Sequence, residues 1–126
     1  MGGLMKTVHK TSAGSAATTH WWRQRLSALI LLPLTLWFIL CIAQLPSLTH
    51  AAFLEWIRNL WNATALSLFL IVSIFHAVLG LEVVIEDYVH DIKKRQTTLK
   101  LMRFILLLTE SAAILAILKL VFPETP

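Results

Sequence analysis

The sequence predicts an all-α integral membrane protein with three transmembrane helices and a short amphipathic helix in the membrane interface. Of its 126 residues, 57% are hydrophobic and only 14% are charged, unlike a typical soluble domain. Three apolar stretches reach the roughly 20 residues that a bilayer crossing requires: 26–45, 63–85 and 104–122. These spans leave no room for a soluble catalytic domain.

The chain divides into a tail and one membrane domain. Residues 1–20 are predicted to form a flexible amino-terminal tail, and residues 21–126 a single transmembrane anchor domain. The tail has no acidic residue and is rich in Ser, Thr and Ala, as a mitochondrial transit peptide would be, but it is poor in arginine. We therefore expect a cytoplasmic tail on a bacterial protein, and the mitochondrial inner membrane is the second alternative.

The three long helices are predicted at about 24–45, 60–92 and 99–122. Trp21 and Trp22 suit the headgroup region at the start of the first helix. Pro33 lies well inside this helix and is expected to bend it for packing. The last helix should end at Pro123.

Between the first two spans, apolar residues recur at helical spacing with polar residues on the opposite side. The apolar set is Phe53, Leu54, Ile57, Leu60 and Trp61. This pattern predicts a short helix lying in the outer interface before the chain turns back into the membrane.

The net charge of +4 reflects topology rather than nucleic-acid binding. Basic residues precede the first span and cluster between the second and third, at Lys93, Lys94, Arg95, Lys100 and Arg103. By the positive-inside rule, the amino terminus and this second loop face the cytoplasm, and the carboxyl terminus lies outside. The only cysteine, Cys41, is in the first span, so this chain alone offers no disulfide or thiolate metal site.

One stripe of the second span carries polar or small residues. On a helix, Asp87 falls within about 20° of His76 and roughly 16 Å along the axis, with Gly80 and His90 nearby. His76 would lie near mid-membrane, where an ionisable side chain is costly unless it faces protein, water or a ligand. Two interpretations stay open: an axial ligand for haem iron, or a histidine hydrogen-bonded to a neighbouring helix. Gly80 likewise suits a close haem approach or a helix contact.

Other ionisable residues have their own alternatives. Asp87 and Tyr88 form either a solvated helix end or a quinone site, since a phenol can bond a carbonyl oxygen and an acid can relay protons. Glu82 is expected to pair with a neighbouring subunit or stay protonated. Glu110 is expected to be hydrogen-bonded inside the bundle.

The segment HAVLGLEVVIEDYVHD, residues 76–91, resembles the second transmembrane helix of the smaller hydrophobic anchor subunit of succinate dehydrogenase (respiratory complex II). The shared features are a histidine followed eleven residues later by an Asp-Tyr pair, the glycine at position 80 and an arginine opening the first span. With three spans and a cytoplasmic amino terminus, the resemblance covers about residues 20–122.

The resemblance implies specific roles. His76 would be one axial ligand of haem b, with the other supplied by the larger cytochrome b anchor subunit. Tyr88 and Asp87 would contact ubiquinone, and Arg25 would contact a haem propionate, with Arg23 as a rival. From the residues themselves, one well-placed membrane histidine cannot supply both axial ligands of a bis-histidine haem.

The predicted function is therefore a membrane anchor subunit of succinate dehydrogenase. It would have no activity and no catalytic residue alone, and would bind a flavoprotein subunit and an iron–sulfur subunit as well as the larger anchor. The alternatives are an anchor of quinol:fumarate reductase, or a membrane scaffold without a cofactor. We expect a multi-pass location in the bacterial inner membrane.

Overall fold

The computed structural model describes the backbone of residues 2–123 and the side chains of residues 14–123. Four helices follow one another, α1 (Gly2–Ala43), α2 (His50–Arg58), α3 (Leu60–Tyr88) and α4 (Ile92–Val121), and the described residues contain no strand. Three helical segments are long and apolar enough to cross a membrane: Gly14–Ala43, Leu60–Tyr88 and Ile92–Val121. The predicted all-α membrane fold is confirmed.

Helix α1 is longer than the predicted first helix at its amino-terminal end. It runs from Gly2 to Ala43 without a break at residue 20, where the predicted tail ends, and it continues through Pro33. At 1.5 Å per residue its 42 residues exceed the bilayer core, so one end of the helix extends beyond a membrane. The flexibility of residues 1–20 stays a prediction.

The loop between the second and third spans is shorter than the sequence predicts. Helix α3 ends at Tyr88 rather than at about residue 92, and α4 begins at Ile92 rather than at about residue 99. The local reason is a cap, because the Asp91 side chain accepts a hydrogen bond from the Lys94 backbone N–H at 2.8 Å. His90 therefore lies in the turn, outside the helical stripe of His76.

Caps also position the short helix α2. The Thr49 side chain accepts from the Ala52 N–H at 3.3 Å, and the Asn59 side chain accepts from the first backbone N–H groups of α3. These caps allow the chain to leave α2 and enter α3 with one residue between them.

Helix α3 is the central element, since it packs against α1, α2 and α4. Its amino-terminal end meets a buried apolar cluster of Ile57, Ala63, Leu66 and Ile117. Beside this cluster the rings of Phe38 and Phe69 stack with centroids 5.4 Å apart. The second half of α3 carries its ionisable residues, so the apolar cluster anchors the helices at one end and the candidate site lies toward the other.

Candidate functional site

His76 of α3 is held by a buried serine of α1. The Ser27 hydroxyl oxygen lies 2.9 Å from His76 Nδ1, and it also lies 2.9 Å from the Gln24 carbonyl oxygen. Only 3% of the Ser27 surface is exposed, whereas His76 is half-buried. Among residues 14–123 this is the only hydrogen bond of the imidazole. One ring nitrogen is therefore engaged with α1, and Nε2 has no partner in the described part of the chain.

Gly80, one turn beyond His76, also faces α1. A Cβ placed on Gly80 would lie 3.6 Å from Gln24 Nε2, which is an ordinary van der Waals distance. The contact with α1 therefore does not by itself require glycine, although glycine inside a helix costs about 1 kcal/mol relative to alanine. The helix-contact interpretation explains the position of Gly80 but not its lack of a side chain.

An apolar groove between α1 and α3 adjoins this pair. It encloses about 290 Å³ and is lined by Arg23, Leu26, Ser27, Ile30, Ile71, Val72 and Phe75. Phe75 precedes His76 in the chain, and Val72 lies one turn before it on α3. The groove thus combines an apolar wall with one cationic side chain beside the histidine.

The two arginines that open the first span lie in different surroundings. The Arg23 guanidinium lies 5.2 Å from the centroid of the Phe75 ring, beside the groove. The Arg25 guanidinium lies 4.2 Å from the centroid of the Trp21 ring. Two residues along a helix differ by about 160° in direction, so the side chains of Arg23 and Arg25 leave opposite sides of α1. Arg23, rather than Arg25, therefore lies on the face of α1 that packs near His76.

Asp87 and Tyr88 form the last residues of α3. Both are exposed, Tyr88 to 80% of its surface. The helix closes behind them with the Val89 N–H donating to the Ile85 carbonyl at 2.9 Å. Tyr88 lies roughly 18 Å along the helix axis from His76. The structure therefore brings Asp87 and Tyr88 together and keeps them at a separate place from His76.

Glu82 has partners inside the chain, which corrects the expectation that it pairs with a neighbouring subunit. Arg103 of α4 approaches its Oε1 with Nη2 at 2.7 Å and Nε at 2.8 Å. His20 Nε2 of α1 lies 3.5 Å from Oε2. The Glu82 side chain is only 14% exposed, so this acid joins all three long helices in a mostly buried setting.

Glu110 has fewer hydrogen-bond partners than the sequence predicts. Its Oε1 atom is buried and has no hydrogen-bond partner among residues 14–123, although the sequence predicts a bond inside the bundle. The described part of this one chain therefore does not satisfy the carboxyl group. The expectation of an internal hydrogen bond for Glu110 is wrong for this oxygen.

The sequence did not predict the contacts that Ser27, Gln24 and Arg103 make between helices. Hydrophobic periodicity identifies which side chains share a face of one helix, but it gives no register between helices. Arg103 carried a usable signal, because it lies in the early part of α4 while Glu82 lies in the late part of α3. Two opposite charges in consecutive antiparallel helices are candidates for a pair. Ser27 carried no such signal, since a serine in an apolar span has many possible roles.

The fold and the site define a class of protein: a small membrane protein of three spans whose central helix carries ionisable side chains, some of which contact the neighbouring helices. Comparison with known proteins narrows this class. The family model described as Succinate dehydrogenase/Fumarate reductase transmembrane subunit matches residues 6–118. The chain therefore belongs to this family, as a membrane anchor subunit of the succinate dehydrogenase type.

Individual relatives agree with the family assignment. The succinate dehydrogenase hydrophobic membrane anchor subunit of Rickettsia bellii is 33% identical over 108 residues, covering 85% of this chain and 86% of the relative. The succinate dehydrogenase membrane anchor subunit of Reclinomonas americana is 31% identical over 105 residues, covering 79% and 85%. The Rickettsia conorii protein is 29% identical over 115 residues, covering 90% of each chain. No solved structure gives a significant match.

Proposed function

We propose that this anchor subunit supplies His76 as one axial ligand of haem b and supplies Asp87 and Tyr88 to the ubiquinone-reduction site of a succinate dehydrogenase. The observation that carries the proposal is the setting of His76. It lies within a membrane-spanning helix, half-buried, with one ring nitrogen held by Ser27 and the other without a partner among the described residues. An imidazole with one ring nitrogen held and the other free is a typical haem ligand.

The surroundings of His76 suit a flat, largely apolar macrocycle with acidic substituents. The groove beside it offers an apolar wall, Arg23 offers a cation at its edge, and Gly80 leaves space that a Cβ could occupy. When bound, a haem would supply reversible one-electron chemistry. The chain's own contribution is to present one imidazole nitrogen, exclude water with apolar side chains and balance charge with an arginine.

The second axial ligand would come from the larger cytochrome b anchor subunit. The other histidines of residues 14–123 are differently placed: His20 lies against Glu82, His50 begins α2 and His90 lies in the turn after α3. A second subunit is therefore part of the proposal.

An arginine of α1 would pair with a haem propionate. Arg25 is the residue that the family resemblance indicates, and this assignment stays a prediction. The position of Arg23 beside Phe75 and the groove supports Arg23 for the same role. The two side chains leave α1 in nearly opposite directions, so the two assignments can be separated by experiment.

Tyr88 and Asp87 would act on the quinone headgroup. The phenol of Tyr88 can donate a hydrogen bond to a quinone carbonyl oxygen, and Asp87 can accept and pass on protons. Quinone reduction consumes two protons with two electrons, so a site next to water at a helix end is suitable. Both side chains are exposed here, so the larger anchor and the iron–sulfur subunit would complete the pocket.

The proposed setting is the bacterial inner membrane, with the amino terminus in the cytoplasm. Its support is the basic run Lys93, Lys94 and Arg95, which follows Tyr88 at the turn between α3 and α4. Electrons would reach the quinone from succinate through the flavoprotein and the iron–sulfur subunit. An anchor of quinol:fumarate reductase would run the same chemistry in reverse, and the family description includes both enzymes.

The experiment is to replace Tyr88 by Phe in the assembled complex and follow two activities. Succinate-driven reduction of ubiquinone should fall at least tenfold, because the phenol hydrogen bond is lost. Succinate-driven reduction of an artificial acceptor that takes electrons before the quinone should be unchanged. Equal retention of both activities would contradict the assignment of Tyr88 to the quinone site.

A further inference from the structure

We propose that Ser27 is a positioning residue that holds His76 in the tautomer with the proton on Nδ1, which leaves Nε2 free to bind iron. This inference rests on the proposed role of His76 as a haem ligand. Helix α1 would then contribute to the haem site as well as to helix packing. Ser27 would act through His76 and would not itself contact the iron.

The direction of the hydrogen bond follows from a count of protons. A serine hydroxyl has one proton to donate and can also accept. The Gln24 carbonyl oxygen, 2.9 Å from the Ser27 hydroxyl oxygen, can only accept, so the hydroxyl proton belongs to that contact. The 2.9 Å contact between Ser27 Oγ and His76 Nδ1 then requires the imidazole to donate. The opposite tautomer would leave two acceptor atoms facing each other at hydrogen-bond distance.

The burial of Ser27 makes this arrangement costly to replace. Ser27 is 3% exposed and lies in an apolar span, so water has little access to compensate a lost bond. A buried polar group left without a partner destabilises the fold, because it loses its bonds to water without replacement. Because Ser27 is tied to its own helix backbone through Gln24, the hydroxyl is pre-oriented by α1 before α3 packs against it.

The consequence for His76 is chemical as well as geometric. A metal-binding histidine commonly donates its other ring N–H to an acceptor, which fixes the tautomer and ring orientation and raises the basicity of the ligating nitrogen. Ser27 would be that acceptor here. Loss of the acceptor should weaken the imidazole as an electron donor and favour the reduced iron, so the midpoint potential should rise.

The test uses the intact complex carrying Ser27→Thr, Ser27→Val or Ser27→Ala in this subunit. Thr and Val have nearly the same shape, so any steric effect of the extra methyl group is shared and only the hydroxyl differs. Ser27→Ala adds no atoms and controls for overpacking. The readouts are the haem midpoint potential by redox titration, the low-spin ferric electron paramagnetic resonance signal, and haem retained per flavin.

A matched control is Ser73→Ala on α3. The Ser73 hydroxyl donates to the Phe69 carbonyl of its own helix at 2.7 Å, one turn before His76. The Ser73→Ala variant also loses a serine hydroxyl close to His76, but it leaves the hydrogen bond between Ser27 and His76 intact. Its potential and resonance signal should match those of the unmodified complex.

The expected result is that Ser27→Thr behaves like the unmodified complex, while Ser27→Val and Ser27→Ala raise the potential, shift the resonance signal and weaken haem retention about 10-fold or more. Identical potentials and signals for Thr and Val, or no shift with Ala, would overturn the role of Ser27 while leaving His76 as ligand. A complex that contains no haem before mutation would contradict the proposed function itself, and with it this inference.

Discussion

Arg103 of α4 donates a hydrogen bond from Nε to Oε1 of Glu82 on α3 at 2.8 Å, and its Nη2 lies 2.7 Å from the same carboxylate oxygen in an ion pair. The other oxygen of Glu82 faces His20 of α1 at 3.5 Å. One acid therefore connects the three long helices, near the end of α3 that carries Asp87 and Tyr88. This connection would fix that end of α3 relative to both neighbours.

Breaking the Glu82–Arg103 pair should destabilise the subunit modestly. Arg103 is 56% exposed, so solvent screens much of the attraction, and the coupling should be about 1 kcal/mol or less. The measurement is a double-mutant cycle of Glu82→Gln and Arg103→Gln by thermal unfolding of the purified complex. Glu86→Gln, an exposed change on the same helix, should have little effect. Additive effects of the two changes would show that the pair contributes no coupling.

Position 80 should accept a methyl group. Because a Cβ at Gly80 would lie 3.6 Å from Gln24 Nε2, Gly80→Ala should keep the α1–α3 contact and gain up to about 1 kcal/mol of helix stability. The isolated variant subunit, measured without haem, should unfold at the same temperature as the original subunit or a higher one. In the haem-containing complex the added methyl group would occupy space proposed for the macrocycle, so haem retained per flavin should fall. A lower unfolding temperature would mean that α1 and α3 pack more closely at this point than the distance indicates.

The two arginines of α1 should differ in their effect on haem. Arg23→Gln should weaken haem retention several-fold because Arg23 borders the groove beside Phe75, whereas Arg25→Gln should have the smaller effect because Arg25 lies against Trp21. Haem per flavin, measured after detergent washing, gives the comparison. A larger loss of haem with Arg25→Gln would support Arg25 as the propionate partner, as the family resemblance implies, and would contradict the assignment of Arg23.

The topology can be read with cysteine labelling in a Cys41→Ala background. Gln96→Cys lies after the basic run and should react with an impermeant maleimide only in inside-out vesicles. Leu48→Cys, at a position that is 84% exposed between α1 and α2, should react only in right-side-out vesicles. The reverse pattern would contradict a cytoplasmic amino terminus.

The sequence predicted the number and nature of the spans, because long apolar stretches and the distribution of basic residues follow from membrane physics alone. It placed the end of α3 too late, since the turn at 89–91 contains neither glycine nor proline and depends on the Asp91 cap. Within one helix, spacing was sufficient to single out His76, Asp87 and Tyr88 as candidates. The roles of these three residues stay predictions.

Contacts between helices could not be predicted in the same way. Whether Ser27 meets His76, or Arg103 meets Glu82, depends on the rotation and axial offset of packed helices, which side-chain interlocking decides. The error over Glu82 has this origin. The angular position of Glu82 on α3 alone could not show that α1 and α4 both reach it.

The most direct test of haem ligation by His76 is a dithionite-reduced minus oxidised absorption spectrum of the complex purified through a tag on this subunit, beside the same preparation carrying His76→Leu. We expect a b-type haem signal in the first preparation, accompanied by flavoprotein and iron–sulfur subunits. In the second preparation the haem signal should be altered or absent. An assembled complex with no haem signal, or an identical signal after His76→Leu, would contradict the assignment of His76 as a haem ligand.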